Sequence, residues 1–232
     1  MIARITYGWL IIFIATAFIC SGQSKSNSLS MINTSHLDYL YEEINVSGNS
    51  MGIIHIYSNH PDYNWIDDAD EGIACVDDAA RAAQFYMKYF DLTGEKISYE
   101  KTELLLEFLL FMQSDNGYFH NFIWSNYTIN KTFKTSKAEP NWWTWRAIAA
   151  LADGYSFFKN RDAAFASIIN NSINKTITSL KSGLPVTKET RIINGLQKPT
   201  WLPSETAADQ AALLLSGLIS YSESTNDSLI SD

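Results

Sequence analysis

Apolar residues in this chain cluster into segments of helical length, and three of these segments begin with a polar or aromatic group. Segments 74–90 and 142–158 are apolar on nearly every face, which is typical of helices enclosed by other helices. A third segment begins at Ser204 with Glu205 to Asp209 and runs to about Tyr221. The pattern therefore predicts three inner helices.

Other segments between and around these helices carry weaker patterns. The apolar spacing predicts outer helices over 97–112 and 161–181, the latter ending at Gly183, and a short amphipathic helix over 34–46. A strand is predicted over 51–57, an extended segment over 118–124 after the Asp115-Asn116-Gly117 turn, and a long connection over 183–203.

The three inner helices begin at nearly equal intervals. Arg81 and Arg146 are 65 residues apart, and Arg146 and Gln210 are 64 apart. Such a period is typical of repeated helix pairs that deliver each helix start to one end of an assembly. The predicted fold is all-α, an incomplete (α/α) toroid of about three helical hairpins over residues 34–232, with short strands in the inter-helix loops. An open helical stack is the alternative; the polar tail that follows the third inner helix favours a fragment of a longer toroid.

The N-terminus resembles an export signal. Arg4 gives residues 1–22 a positive start, and the apolar stretch from Trp9 to Ile19 is too short to span a bilayer comfortably. Cleavage before Gln23 would leave a polar tether over 23–33. The alternative is a lipid on Cys20, which follows the bulky Ile19, and we expect a membrane attachment only through such a lipid. We predict an exported protein: periplasmic, on the cell surface or extracellular.

Composition excludes several classes of protein. The 232 residues carry a net charge of −8 and no run of Lys or Arg that could follow a phosphate backbone, so we expect no nucleic-acid partner. Cleavage at Gly22 would leave Cys75 as the single cysteine, which predicts a small buried residue and no internal disulfide. Metal-ligand spacings, glycine-rich phosphate loops and a GxSxG elbow are absent, so no cofactor or metal is predicted.

Carboxylates at the starts of the inner helices are the candidate catalytic residues. Asp77 and Asp78 are consecutive acids in a helix otherwise crowded by alanine, and buried carboxylates persist when they are paired or functional. Glu139 and Glu205 open the second and third inner helices. Such groups could act as general acid and base. The alternative is structural, since Asp77 and Arg81 also form an ordinary i,i+4 pair.

Aromatic residues surround the same helix starts. Six of the seven tryptophans lie in or beside these loops: Trp65, Trp124, Trp142, Trp143, Trp145 and Trp201. Their flat faces could stack on sugar rings, although packing is an equal alternative for each and Trp145 is expected in the core. The predicted substrate-binding residues are Trp65, Trp142, Trp143, Trp201, Arg81, Arg146, His120 and Asn121. Strand alternation would let only one of His120 and Asn121 face the ligand.

Three segments resemble bacterial (α/α) toroid proteins related to the six-hairpin glycosidase superfamily. Asp70–Ala82 resembles the acidic opening of a helix in those proteins, Asp115–Phe122 resembles their aromatic turn, and Glu139–Leu151 is similar to the helix that follows. The resemblance covers about 70–151. A full ring of six pairs would need roughly twice the helices predicted here, and Trp142-Trp143 stands where those proteins often have an acid and a small polar residue.

The resemblance implies carbohydrate processing, with an oligo- or polysaccharide as partner. Glycoside hydrolysis by Asp77 or Asp78 together with Glu139 or Glu205 is the favoured activity, and Arg81 and Arg146 would orient the carboxylates or bind an acidic sugar. A polysaccharide lyase using His120 or Tyr118 with Arg146 is the second possibility. Two non-enzymatic alternatives remain: a glycan-binding surface protein and a helical scaffold for protein partners.

Overall fold

The computed structural model describes residues 31–183, 189–200 and 207–225. Its helices are α1 (Ser35–Leu40), α2 (Val76–Thr93), α3 (Lys96–Phe111), α4 (Trp142–Phe158), α5 (Ala163–Gly183) and α6 (Ala208–Thr225). Its strands are β1 (Tyr41–Val46), β2 (Asn49–Ile54), β3 (Tyr57–Asn59), β4 (Asn64–Ile66), β5 (Ala74–Cys75), β6 (Phe122–Ile123), β7 (Thr190–Ile193) and β8 (Leu196–Pro199). The predicted signal peptide, most of the tether, Trp201 and Glu205 lie outside the described residues.

The chain divides after Tyr39 into two compact units. The first contributes residues 31–39 to the structure, including most of the short helix α1. The second contains all of the remaining elements. Within the described ranges, no helix is long and apolar enough to cross a membrane.

Helices α2, α4 and α6 lie side by side and run in the same direction. Gln84 of α2 bonds to Asp153 of α4, and Asp153 bonds to Ser220 of α6. Further along the chain, Lys159 Nζ, just after α4, donates to the carbonyl of Ser224 in α6 at 3.1 Å. Residue numbers thus increase together along both helices, which shows that they are parallel. These are the three predicted inner helices, and α4 spans the predicted 142–158.

Helices α3 and α5 connect the three parallel helices and pack against them. Gly94, with φ 71°, ends α2 and turns the chain into α3. Gly154 of α4 fits against the outer layer, because a Cβ there would lie 2.6 Å from Leu106 Cδ1. A second close approach joins α4 and α6: a Cβ on Gly217 would lie 3.0 Å from the backbone of Ala149. Small residues therefore set the spacing of this helical layer.

The all-α prediction is wrong, because the structure is mixed. Helices account for 52% of the described residues and strands for 20%, and these residues form four two-stranded antiparallel sheets. The predicted helix over 34–46 ends at Leu40, and residues 41–46 form β1 against β2. Ser47 and Gly48, both with positive φ, make the tight turn that favours the hairpin. The connection over 183–203 likewise contains the β7–β8 hairpin around Asn194-Gly195.

The core lies between the helices and the first hairpin. The largest fully buried side chains include Trp145, Tyr86, Phe108, Phe119 and Phe158. Strand β2 packs against α3, which gives that hairpin a helical surface on which to bury Ile53 and Ile54. The short β5–β6 pair joins the residues just before α2 to the segment that follows the Gly117 turn. This pairing fixes where α2 begins, and α2 carries the candidate carboxylates.

Candidate functional site

Cys75 starts the helix that carries Asp77 and Asp78. Its sulfur accepts a hydrogen bond from the Asp78 amide at 3.4 Å, and its thiol donates to Asp78 Oδ2 at 3.3 Å. Burial raises the pKa of the Cys75 thiol well above its usual value. The thiol therefore stays protonated and caps the helix, which agrees with the predicted structural role of this residue.

Asn121 holds the first turn of the same helix from the loop side. Its carbonyl accepts from the Val76 amide at 2.8 Å, and its side-chain Oδ1 accepts from the Asp77 amide at 3.4 Å. The residue is 6% exposed. These contacts make Asn121 a positioning residue for Asp77, and its contact with a ligand stays a prediction.

Asp77 forms an ion pair across the α2–α4 interface. Its Oδ1 lies 2.7 Å from Nε of Arg146, although the N–H is poorly aligned with that oxygen. About a quarter of each side chain is exposed, 28% for Asp77 and 27% for Arg146. Burial raises the pKa of the Asp77 carboxyl above its usual 3.8, and Asp78 adds to this; Arg146 and Arg81 oppose the rise without cancelling it.

Asp78 and Trp142 complete the surface around this pair. Asp78 Oδ1 accepts a hydrogen bond from Nη2 of Arg81, one turn along α2. The guanidinium of Arg146 lies 5.8 Å from the centre of the half-buried Trp142 ring. We call Asp77, Asp78, Arg81, Trp142 and Arg146 the acid–arginine cluster. The 65-residue period thus correctly predicted that the starts of the first two inner helices meet.

Two other predicted binding residues are buried beside the cluster and bonded to backbone carbonyls. The Trp143 indole N–H donates to the carbonyls of Phe119 and Lys137, at 2.7 and 3.0 Å. His120 is 9% exposed, and its Nδ1 lies 3.0 Å from the carbonyl of Ser136. Burial lowers the pKa of His120. Both side chains have structural contacts that account for their positions.

Trp65 and Glu139 have different surroundings. Trp65 lies on β4, is 40% exposed and stacks on the ring of His55 at 3.8 Å. His55 in turn lies 2.8 Å from Glu42 and is buried, as a structural residue would be. Glu139 is exposed just before α4, and its carbonyl accepts a hydrogen bond from Thr144. The ligand contacts predicted for Trp65 and Glu139 remain predictions.

Ser136 holds the loop that packs against the start of α2, and no sequence motif predicted this role. This fully buried residue accepts a hydrogen bond from the Asn121 amide at its carbonyl, and its hydroxyl accepts one from the Phe122 amide. Its hydroxyl also donates to the carbonyl of Asn130. Ser136 lies in the polar stretch 125–140, where many serines and threonines look alike. Only the folded loop reveals which of them holds the start of α2.

The charges of the cluster define what it can do chemically. Two carboxylates and two guanidiniums lie together at the starts of α2 and α4, and one guanidinium, that of Arg146, lies beside the half-buried Trp142 indole. Such a set of groups suits hydrogen bonding to hydroxyl groups and proton transfer by a carboxyl group. Within residues 31–183, 189–200 and 207–225, no group of three His, Cys, Asp or Glu side chains could hold a metal ion.

Comparison with protein-family models and with curated proteins finds no match. A search of solved structures finds the "Crystal structure of metagenome-derived glycoside hydrolase family 9 endoglucanase", with a TM-score of 0.47 and 16% sequence identity. The match covers 82% of this chain and 41% of that one, so this chain spans less than half of that protein's length. A similarity this weak assigns neither a family nor an activity, and membership of the six-hairpin glycosidase superfamily remains a prediction.

Proposed function

We propose that this protein is an exported glycoside hydrolase that acts at the acid–arginine cluster, with Asp77 as the general acid. The observation that carries this proposal is the environment of Asp77: a carboxyl group whose pKa is raised by burial, next to a second carboxylate on the same helix turn. A general acid must hold its proton close to the working pH, and burial is the means by which proteins achieve this for a carboxyl group.

Hydrolysis also needs a second carboxylate. Asp78, held by Arg81, is the described carboxylate next to Asp77. Of the other two predicted carboxylates, Glu139 is exposed and Glu205 lies outside the described residues. In this scheme Asp77 protonates the leaving glycosidic oxygen, while the second carboxylate activates water or attacks the anomeric carbon. A separation of about 5–5.5 Å between the working carboxyl groups would give retention of stereochemistry, and about 6.5–9.5 Å would give inversion.

Trp142 and Arg146 would hold the sugar. The half-buried indole offers a flat apolar face, and the guanidinium beside it can donate hydrogen bonds to sugar hydroxyls or to a sugar carboxylate. An oligo- or polysaccharide is therefore the proposed partner.

The proposal is tested by incubating the full chain with a panel of plant and host glycans and measuring the release of reducing ends. Asp77→Asn keeps the shape of the side chain and removes its proton, so we expect the rate to fall about 10²–10⁴-fold. Glu100→Gln, which removes a lysine-paired carboxylate of α3, should change the rate less than about twofold. Equal rates for Asp77→Asn and wild type would contradict the proposal.

A non-catalytic glycan-binding protein is the second candidate. The observation that favours it is that both cluster carboxylates are paired with arginines, as they would be if they only fixed the shape of a binding surface. In that case Asp77→Asn would leave glycan binding intact and no hydrolysis would be seen for any variant. Among the described residues no contact favours the lyase alternative, since His120 bonds to the Ser136 carbonyl and Tyr118 packs edge-on against Trp145.

A further inference from the structure

The polar face that carries Asp77 continues along α2 and α4. Asp77, Gln84 and Asp91 are spaced by seven residues, or two helical turns, and so share one face of α2. Asp77 pairs with Arg146, Gln84 donates to Asp153 at 2.7 Å, and Asp91 pairs with Arg161 at 2.8 Å. We call these three contacts the ladder. Each step along it is roughly 10 Å, at 1.5 Å per residue.

A cavity of about 360 Å³ lies beside the second and third contacts of the ladder, Gln84–Asp153 and Asp91–Arg161. Its lining includes Gln84, Met87, Lys88, Asp153, Ser156 and Ser220, contributed by α2, α4 and α6. The cavity therefore lies on the same polar face as the acid–arginine cluster and about two helical turns away from it.

Asp153 is the central polar group of this cavity. Its two oxygens accept hydrogen bonds from Gln84 Nε2 at 2.7 Å and from Ser220 Oγ at 2.9 Å. Both donors are neutral, and no ion pair involves Asp153 in the described part of the chain. A half-buried carboxylate without a counter-ion has lone pairs left for further donors.

The cavity also offers donors, and its charges balance. Lys88 and Ser156 are exposed at its edge and can donate to oxygen atoms of a ligand. Two acids, Asp91 and Asp153, offset two bases, Lys88 and Arg161, so a charged ligand gains little from the local field. A neutral molecule with many hydroxyl groups, each both donor and acceptor, satisfies this lining best.

We propose that the cavity is a second sugar subsite, which binds a neutral sugar unit of the same glycan that reaches the acid–arginine cluster. The proposal rests on the proposed function for its ligand class. A chain that lies along the ladder would have one unit at Asp77 and another over Asp153, so the cavity would select for longer substrates without taking part in the reaction.

The test uses the ¹³C-labelled methyl group of Met87, which lines the cavity, with the fully buried Met112 as an internal control. Cellohexaose, xylohexaose and maltohexaose are titrated into the full chain and followed by NMR. At least one sugar should shift the Met87 resonance saturably and leave Met112 unchanged. No response of Met87 to any of the three sugars overturns the proposal.

Two matched variants locate the binding. Ser156→Trp fills the cavity from an exposed helix position and should weaken the binding seen at Met87 by at least about tenfold. Ser167→Trp makes the same change at an exposed position of α5 that lines a different cavity, and it should have no effect. Unchanged affinity in Ser156→Trp overturns the subsite.

The two proposals can fail separately. A Met87 response in a protein that hydrolyses none of the glycans would leave the subsite standing and contradict the hydrolase. Hydrolysis that depends on Asp77, in a protein whose Met87 never responds to the hydrolysed glycan, would support the hydrolase and contradict the subsite.

Discussion

The two ends of the ladder form the same kind of contact in different surroundings. At the start of α2, Asp77 and Arg146 are 28% and 27% exposed; at its end, Asp91 and Arg161 are 54% and 40% exposed. The pKa of Asp77 is raised because burial outweighs its arginine neighbours. The Asp91 pair, by contrast, is a surface ion pair of the kind that contributes about 0–1 kcal/mol. Pairing with arginine therefore does not distinguish the two aspartates, whereas the burial of the carboxyl group does.

The aromatic rings beside the two arginines differ in burial, but in the opposite order: the more buried ion pair has the more exposed ring. Arg146 lies 5.8 Å from the Trp142 ring, and Arg161 lies 4.1 Å from the Phe157 ring. Phe157 is 5% exposed and packs against other aromatic rings, while Trp142 is only half-buried. A cation–π contact thus joins an arginine to a buried ring at one end and to a more accessible ring at the other.

The largest expected effect separates these two aromatics. Phe157→Ala should lower the free energy of unfolding by about 3–5 kcal/mol, because it leaves a cavity in the core. Trp142→Ala should cost less than half of that and should instead weaken glycan binding. Urea unfolding and a glycan titration of both variants provide the measurement. Equal destabilisation by the two changes would mean that Trp142 belongs to the core.

A second comparison concerns the two arginines. Arg146 lowers the pKa of Asp77, so Arg146→Gln should move that pKa further upward and, because Asp77 must be protonated to act as the general acid, shift the alkaline limb of the activity profile to higher pH. Arg161→Gln removes a guanidinium from the other end of the ladder and should leave the limb in place. NMR titration of ¹³C-labelled aspartate carboxyl groups reports the same shift directly. A pKa of Asp77 that stays constant in Arg146→Gln would contradict the electrostatic account.

The smallest expected effect is on stability. A carboxyl group whose pKa is raised in the folded state stabilises the fold at low pH and loses that contribution as the pH rises past its folded pKa. Asp77→Asn imitates the protonated form at every pH. Relative to wild type, its melting temperature should therefore rise between pH 3.8 and 7, and each 1 kcal/mol of relative stabilisation corresponds to about 2–4 °C in a chain of this size. Asp91→Asn serves as the control, and a fall in relative melting temperature over that range would contradict the raised pKa.

Much of the helical layer follows from local sequence. Segment 142–158 is apolar on nearly every face and forms α4 at the predicted bounds, since a long buried run leaves few alternatives. Short segments were harder to assign. The apolar residues of 34–46 fit helical spacing, yet pairing with β2 makes residues 41–46 a strand. The Asn194-Gly195 dipeptide is a strong hairpin signal that the prediction of a plain connection overlooked.

The candidate site was predictable in part. The repeat period placed Asp77, Asp78 and Arg146 at one end of neighbouring helices, because repeated helix pairs of equal length bring the starts of their inner helices to the same end. The cavity was not predictable, since the contact of Gln84 with Asp153 joins residues 69 positions apart and depends on the register of two packed helices. The support given by Ser136 likewise exists only once its loop has folded.

Cys75 provides the protein with an internal reporter. Its thiol is sealed between Asp78 and the β5–β6 pair, so an alkylating reagent can reach it only while the first turn of α2 is open. In a chain with Cys20 replaced by serine, the labelling rate would then measure how often this turn opens. A glycan bound at saturating concentration over this turn would slow the alkylation of Cys75. The alkylation rate would therefore report both glycan binding and the opening of the first turn of α2.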